Sequence, residues 1–211
     1  MAFIAAFVAD ISSCFYSILL IVKVTVASSC MQGWRVSMED AHQHILQLSP
    51  EDPDAAFFAV FDGHGGSRVA QYSSINLHKL LVKRPEYVQE NYALALQQSF
   101  LECDRAMKVD SDLKDEMAGC TAVTVLLKGD RLWCANAGDS RCIAGVGGKA
   151  VALSNDHKPN DKLELERITK AGGYVDSNRV NGNLALSRAL GDFIFKMNDQ
   201  LPQVRHSVVL R

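Results

Sequence analysis

A chain of 211 residues, 48% of them hydrophobic, is long enough to bury one sizeable core. Its net charge of −2, with no long basic run interleaved with aromatics, excludes a protein that tracks a polyanion, so no nucleic-acid partner is expected. Six cysteines (Cys14, Cys30, Cys103, Cys120, Cys134, Cys142) show no CxxC pairing; they read as reduced, mostly buried thiols in a cytoplasmic or nuclear setting, not as a zinc site.

The first 28 residues differ from the rest. Residues 3–27 carry only Asp10 and Lys23 as charges, and the longest uncharged run between them, residues 11–22, is shorter than the ~20 residues a spanning helix needs. Two readings stand. One is a membrane anchor that includes a charge, with Lys23 and Arg35 behind it holding the following domain on the cytoplasmic side. The other is an apolar extension in which residues 24–28 add an edge strand. Both divide the chain into residues 1–28 and a domain over residues 29–211.

Residues 31–42 bring together Arg35, the adjacent carboxylates Glu39 and Asp40, and His42, ahead of a strand-like run at 44–48. In an extended segment Arg35 and Glu39 point the same way while Asp40 points opposite or sits at a bend. After a loop holding Pro50 and Pro53, Phe57-Phe58-Ala59-Val60-Phe61 reads as a buried strand that delivers an acid to its end in Asp62-Gly63-His64-Gly65-Gly66. The glycines allow the backbone a sharp turn and a close approach to whatever Asp62 holds, a metal or a phosphate.

A helix is expected from Gly66, with Val69, Tyr72, Leu77, Leu80 and Leu81 on one face, ending at Arg84-Pro85. A second is expected from about Tyr87 to Lys108, striped by Tyr92, Leu96, Phe100, Cys103 and Met107. Short strands at 121–127, 131–136, 141–145 and 150–153, separated by glycine turns, predict an antiparallel sheet, with Asp139 and Asp156 at strand ends. A helix follows, with Asp161 as cap, Glu164 three residues on, and Leu165, Ile168 and Ala171 facing inward until Gly172-Gly173. Asn181-Gly182 marks another hairpin. His157 and Asp192 read either as ligands or, more ordinarily for turn residues, as partners of local backbone groups.

The acids Glu39, Asp40, Asp62 and Asp139 offer oxygen ligands, which with no matching cysteine set favour Mg²⁺ or Mn²⁺. Two such ions can hold a phosphate ester and acidify a water between them, so that no protein nucleophile is needed. Arg35 would grip the phosphate and His64 would protonate the departing alkoxide. Taken singly, a turn aspartate caps backbone and an Arg–Glu pair decorates a surface; it is their combination that points to phosphoester hydrolysis.

The chain resembles the metal-dependent serine/threonine protein phosphatases of type 2C. The resemblance runs through Trp34-Arg35-Val36-Ser37-Met38-Glu39-Asp40-Ala41-His42, Asp62-Gly63-His64-Gly65-Gly66, Gly119-Cys120-Thr121-Ala122, Asn136-Ala137-Gly138-Asp139-Ser140-Arg141, Asp156-His157-Lys158-Pro159, and Arg179-Val180-Asn181-Gly182 through Ser187-Arg188-Ala189-Leu190-Gly191-Asp192. It implies an α+β fold, a four-layer α-β-β-α sandwich of antiparallel sheets, with two metal ions in a cleft and phosphoprotein substrates. By position, Asp62 would bridge both metals, the Gly63 carbonyl would bind one, Glu39 and Asp40 would lie in the metal and water shell, and Asp139 would match a weaker third site. Arg35 would contact phosphate and His64 would be the general acid. The family continues through an Asp-Gly and an Asp-Asn motif that residues 198–211 do not supply, so the resemblance covers the first two-thirds of the domain. Two outcomes follow from it: a phosphatase of reduced activity, or a catalytically impaired form that acts as a binding or regulatory module.

Overall fold

The computed structural model describes residues 5–7 and 24–197. A short strand β1 (Ala5–Phe7) precedes β2 (Ala41–Ile45), β3 (Ala55–Phe61) and the two-residue β4 (Gly63–His64). Helices α1 (Arg68–Val82), α2 (Pro85–Val88) and α3 (Tyr92–Val109) come next, then β5 (Gly119–Cys120), β6 (Ala122–Lys128) and β7 (Arg131–Ala137). The central sheet is antiparallel in the order β2-β3-β6-β7. β3 is apolar without interruption because both its faces are covered. Phe57, Ala59 and Phe61 meet Val69, Leu77 and Leu81 of α1 and Leu96, Phe100 and Met107 of α3 in one cluster, while Ala56 and Phe58 join Val123, Val125 and Cys142 on the other side. Each fully buried phenylalanine contributes about 1.5–3 kcal/mol relative to exposure.

On that second face Cys142, the first residue of the hairpin β8 (Cys142–Val146) and β9 (Lys149–Ala152), joins the cluster, with Val24, Val26 and Leu153 packed against it. α4 (Lys162–Lys170), β10 (Val175–Asp176) and β11 (Arg179–Val180) follow, and Ile168, Val180 and Ala189 form a small core of their own. β12 (Leu190–Gly191) returns to pair with β5, giving a small sheet in the order β12-β5-β4. The architecture is the expected α+β sandwich, its described layers stacked helix, sheet, sheet.

Several local expectations need correction. Residues 31–40 form turns, not a strand: Gly33 adopts φ +61° and the Gln32 side-chain amide donates to the carbonyls of Arg35 and Val36, folding the segment on itself. The second helix is broken, since Glu90 takes φ +59° and the Asn91 side chain accepts the Leu94 N–H as a fresh N-cap for α3. In α4 the inward positions are Glu164 and Ile168, while Leu165 is exposed. Asp161 takes the Lys158 N–H and gives the helix no side-chain cap. Residues 24–28 are not a strand, and β1 pairs parallel to β8, which departs from a wholly antiparallel arrangement. Among the described residues no helix is long and apolar enough to cross a membrane; most of the 3–27 segment, residues 8–23 included, lies outside the described residues.

Candidate active site

Asp62 follows the last residue of β3, where the sheet stops and the strand can no longer bury a side chain in the core. Its position is fixed reciprocally by Thr121: the Asp62 N–H donates to Thr121 Oγ1 at 3.1 Å, and the Thr121 N–H donates to the Asp62 carbonyl at 2.9 Å. Ser140 Oγ lies 2.6 Å from the same threonine oxygen, which ties the end of β7 to this corner. The chain then enters β4 beneath residue 39. A side chain on Gly63 would put its Cβ 2.2 Å from the Glu39 carbonyl oxygen, so glycine is required for Glu39 and Asp40 to approach Asp62.

The electrostatics follow from this crowding. The Asp62 carboxyl is pushed up to about 6 from 3.8, first by burial, then by the charges of Asp40 and Asp139 and a hydrogen bond with Asp40. Two carboxyls this close resist joint ionisation, and a hard divalent cation between them removes the conflict. Asp40 and Asp62 are the side-chain oxygens that could share one. Asp139 is near, but its carboxylate receives Lys158 Nζ. Among the described residues no three His, Cys, Asp or Glu side chains converge as a ready ligand set, so water would complete the shell of any such ion.

His64 stands two residues beyond Asp62. Its Nε2 lies 2.8 Å from Oδ2 of Asp192, a carboxyl only 4% exposed. Burial alone would lower the histidine pKa, yet the hydrogen bond and charge of Asp192, joined by Asp62 and Glu39, raise it overall. The imidazolium form is thereby favoured, which suits a proton donor. Positions 39, 40, 62, 64 and 139 thus meet at one end of the sheets, as expected from the sequence. A cleft of about 340 Å³ opens there, lined by Asp62, His64, Thr121, Asp139, Arg179 and Leu186 among others.

Arg35 is exposed in the 31–37 segment and is not among the residues lining this cleft, which include Arg179. The sequence pattern gives Arg179 no site role beyond its place before the Asn-Gly turn, and it leaves Asp192 open between a ligand and a turn residue; the structure makes Asp192 the partner of His64. His157 does prove to serve backbone: its Nδ1 accepts the Gly138 N–H at 3.3 Å and its own N–H donates to the Gly138 carbonyl. Asp156 holds Arg141 through two contacts of 2.9 Å.

The sequence profile described as Protein phosphatase 2C matches residues 24–209. The chain belongs to the protein phosphatase 2C family. A probable protein phosphatase 2C of Caenorhabditis elegans is 59% identical over 177 residues, covering 84% of this chain and 49% of the relative. Protein phosphatase 2C homolog 2 of Hypocrea jecorina is 51% identical over 180 residues, covering 82% and 41%. The chain therefore spans about half the length, or less, of these curated relatives. Among solved structures, a phosphatase from Toxoplasma gondii superposes with a TM-score of 0.72 at 28% identity, over 84% of this chain and 67% of that one. A Caenorhabditis elegans sex determining protein gives 0.69 at 31% identity, over 78% and 43%. In this family member the acids gather at one end of the sandwich with the His64–Asp192 pair beside them.

Proposed function

We propose that the chain carries the hydrolytic cleft of a protein phosphatase that removes phosphate from phosphoserine and phosphothreonine. The observation that carries this reading is the meeting of the Asp40–Asp62 pair with His64 at the mouth of one cleft. Mg²⁺ or Mn²⁺, held by Asp62, Asp40 and the Gly63 carbonyl with Glu39 close by, would supply Lewis-acid charge and acidify a water. The protein's own part is distinct. Arg179 reaches into the cleft and is oriented by donating to the Asn183 carbonyl at 2.7 Å, which leaves other guanidinium N–H groups for phosphate oxygens. His64, whose protonated form the Asp192 carboxylate favours, gives its proton to the departing serine or threonine oxygen. Arg35, exposed and outside this lining, is free to meet the peptide flanking the phosphate.

A second reading, a module that binds phosphoprotein without turning it over, is favoured by the absence of a three-residue ligand set among the described residues. The two separate in one assay: Mn²⁺-dependent hydrolysis of a phosphothreonine peptide and of p-nitrophenyl phosphate by the whole chain and by His64→Gln. Nitrophenolate departs without help, so loss of a proton donor lowers peptide turnover by roughly 10²–10⁴ and spares the nitrophenyl ester. Equal losses on both substrates would remove His64 from the donor role. Retained phosphopeptide binding with no turnover by the wild-type chain would favour the binding module.

A further inference from the structure

Resting on the reading of His64 as proton donor, we infer that Asp192 is the positioning residue of His64, and that Nδ1, not Nε2, is the atom the imidazole turns to the cleft. Nε2 is committed to Asp192 at 2.8 Å, and among the described residues Nδ1 has no hydrogen-bond partner and is not buried. The inward edge of the ring cannot be the working edge. An ideal Cβ on Gly119 would lie 2.3 Å from Asp192 Oδ2 and 2.6 Å from His64 Nε2, so the hydrogen bond is seated against a bare α-carbon in β5 with no room for substrate.

Asp192 has little freedom to release the ring. It holds a left-handed backbone at φ +50°, with its N–H donating to the Ala118 carbonyl at 3.0 Å. One residue earlier, the Gly191 N–H donates to Asp104 Oδ1 at 2.9 Å. Asp104 is in turn gripped by Lys196 Nζ at 2.9 Å from both oxygens, and Lys196 also donates to the Ala189 carbonyl at 2.8 Å. Both members of this ion pair are 2% exposed. A charge pair buried so completely is worth keeping for the arrangement it enforces more than for net stability. Here that arrangement is the path of residues 189–196, and with it the aim of the Asp192 carboxylate. None of these residues lines the cleft; Asp192 meets it through His64.

The proton balance follows. The imidazolium carries N–H on both nitrogens; Nδ1–H passes to the leaving oxygen, Nε2–H stays on Asp192, and the ring is left neutral as the Nε2–H tautomer.

That tautomer is directly measurable in the metal-free 211-residue chain by ¹⁵N–¹H correlation of the histidine rings, with His64 assigned by the signal that vanishes in His64→Gln. The neutral ring should show a pyrrole-type Nε2 and a pyridine-type Nδ1. Asp192→Asn keeps the volume and tolerates the left-handed backbone, yet its amide can turn either its oxygen or its NH₂ to the ring. Both ring nitrogens should then move toward an averaged shift. His157, whose Nδ1 accepts a backbone N–H, should stay unchanged and so report an intact fold. A wild-type His64 with its proton on Nδ1, or an Asp192→Asn spectrum identical to wild type, overturns the inference. Should the variant fail to fold, the wild-type tautomer alone decides. Failure here leaves the donor role standing, whereas failure of the substrate-ratio assay removes that role without altering the tautomer.

Discussion

Gly119→Ala adds one methyl at the point where the site is tightest. The substitution meets no backbone obstacle, because Gly119 does not occupy the left-handed region; the obstacle is the pair of atoms at 2.3 and 2.6 Å. Asp192 cannot retreat, being 3% exposed and pinned through the Ala118 carbonyl, so either the His64–Asp192 bond opens or β5 shifts between β4 and β12. Overpacking costs about 1–3 kcal/mol. Loss of a charge-assisted hydrogen bond adds about 1.5–3 kcal/mol. The expected sum of about 2.5–6 kcal/mol would lower the urea midpoint by about 1–3 M, for a denaturant slope near 2 kcal/mol per M. Gly129→Ala is the control: Gly129 has φ +58° but open space around it, so it should lose only about 1 kcal/mol. Urea unfolding followed by circular dichroism, with the His64 ring spectrum on the folded chain, reads both effects. A Gly119→Ala chain as stable as Gly129→Ala, with His64 unchanged, would refute the packing argument.

Further outcomes follow from the charges. Asp62 has a folded pKa of about 6, above its ordinary 3.8, so the folded chain holds its proton longer than the unfolded one; the stability this gives is present below pH 4 and is lost as pH rises through 6. Metal-free Asp62→Asn should therefore have a higher urea midpoint than wild type at pH 7.5, the gap closing at pH 4, and a lower midpoint would contradict this. Glu164 behaves oppositely. Burial opposes its charge, but Arg188, Ser187 and Arg167 outweigh that and hold its carboxyl at about 2, below the ordinary 4.5. Its contribution is present above pH 4.5 and disappears as pH falls toward 2, so Glu164→Gln, which removes the carboxylate charge that Arg167 and Arg188 share, should be about 3–5 kcal/mol less stable in urea unfolding at pH 7 and show a flatter acid limb. Arg179→Ala should raise KM for a phosphopeptide about 10-fold or more, in keeping with roughly 1.5–3 kcal/mol for a charged hydrogen bond; an unchanged KM would take Arg179 out of phosphate binding.

The parts of this structure that were legible in the sequence are those decided by neighbours in the chain. The apolar run at 57–61 could only be a strand covered on both faces, and the acid closing it had to emerge at the sheet's end. The hairpins at 122–128 and 131–137 declared themselves through Gly129, and Gly172 and Gly173 end α4 as read, the Gly173 N–H returning to the Ile168 carbonyl. Distant pairings were not legible. His64 and Asp192 are 128 positions apart, and nothing local distinguishes Asp192 from a turn aspartate. Glu164 looked like half of a capping box; its carboxylate instead serves Ser187 and Arg188, which turns the helix so that Glu164 faces inward and Leu165 outward. The turn at Ser177-Asn178, with φ of +51° and +60°, joins β10 to β11 with neither glycine nor proline to announce it. Asn91 was a readable helix cap, overridden in the sequence reading by an apolar stripe that continues across the break from Tyr87 to Tyr92.

The claim on which the rest depends is that Asp40 and Asp62 together bind a divalent ion. Isothermal titration of the 211-residue chain with Mn²⁺, beside Asp40→Asn and Asp62→Asn, tests it most directly. A saturable heat in wild type that is abolished by Asp62→Asn and weakened by Asp40→Asn is the predicted result; superimposable titrations of all three proteins would contradict it.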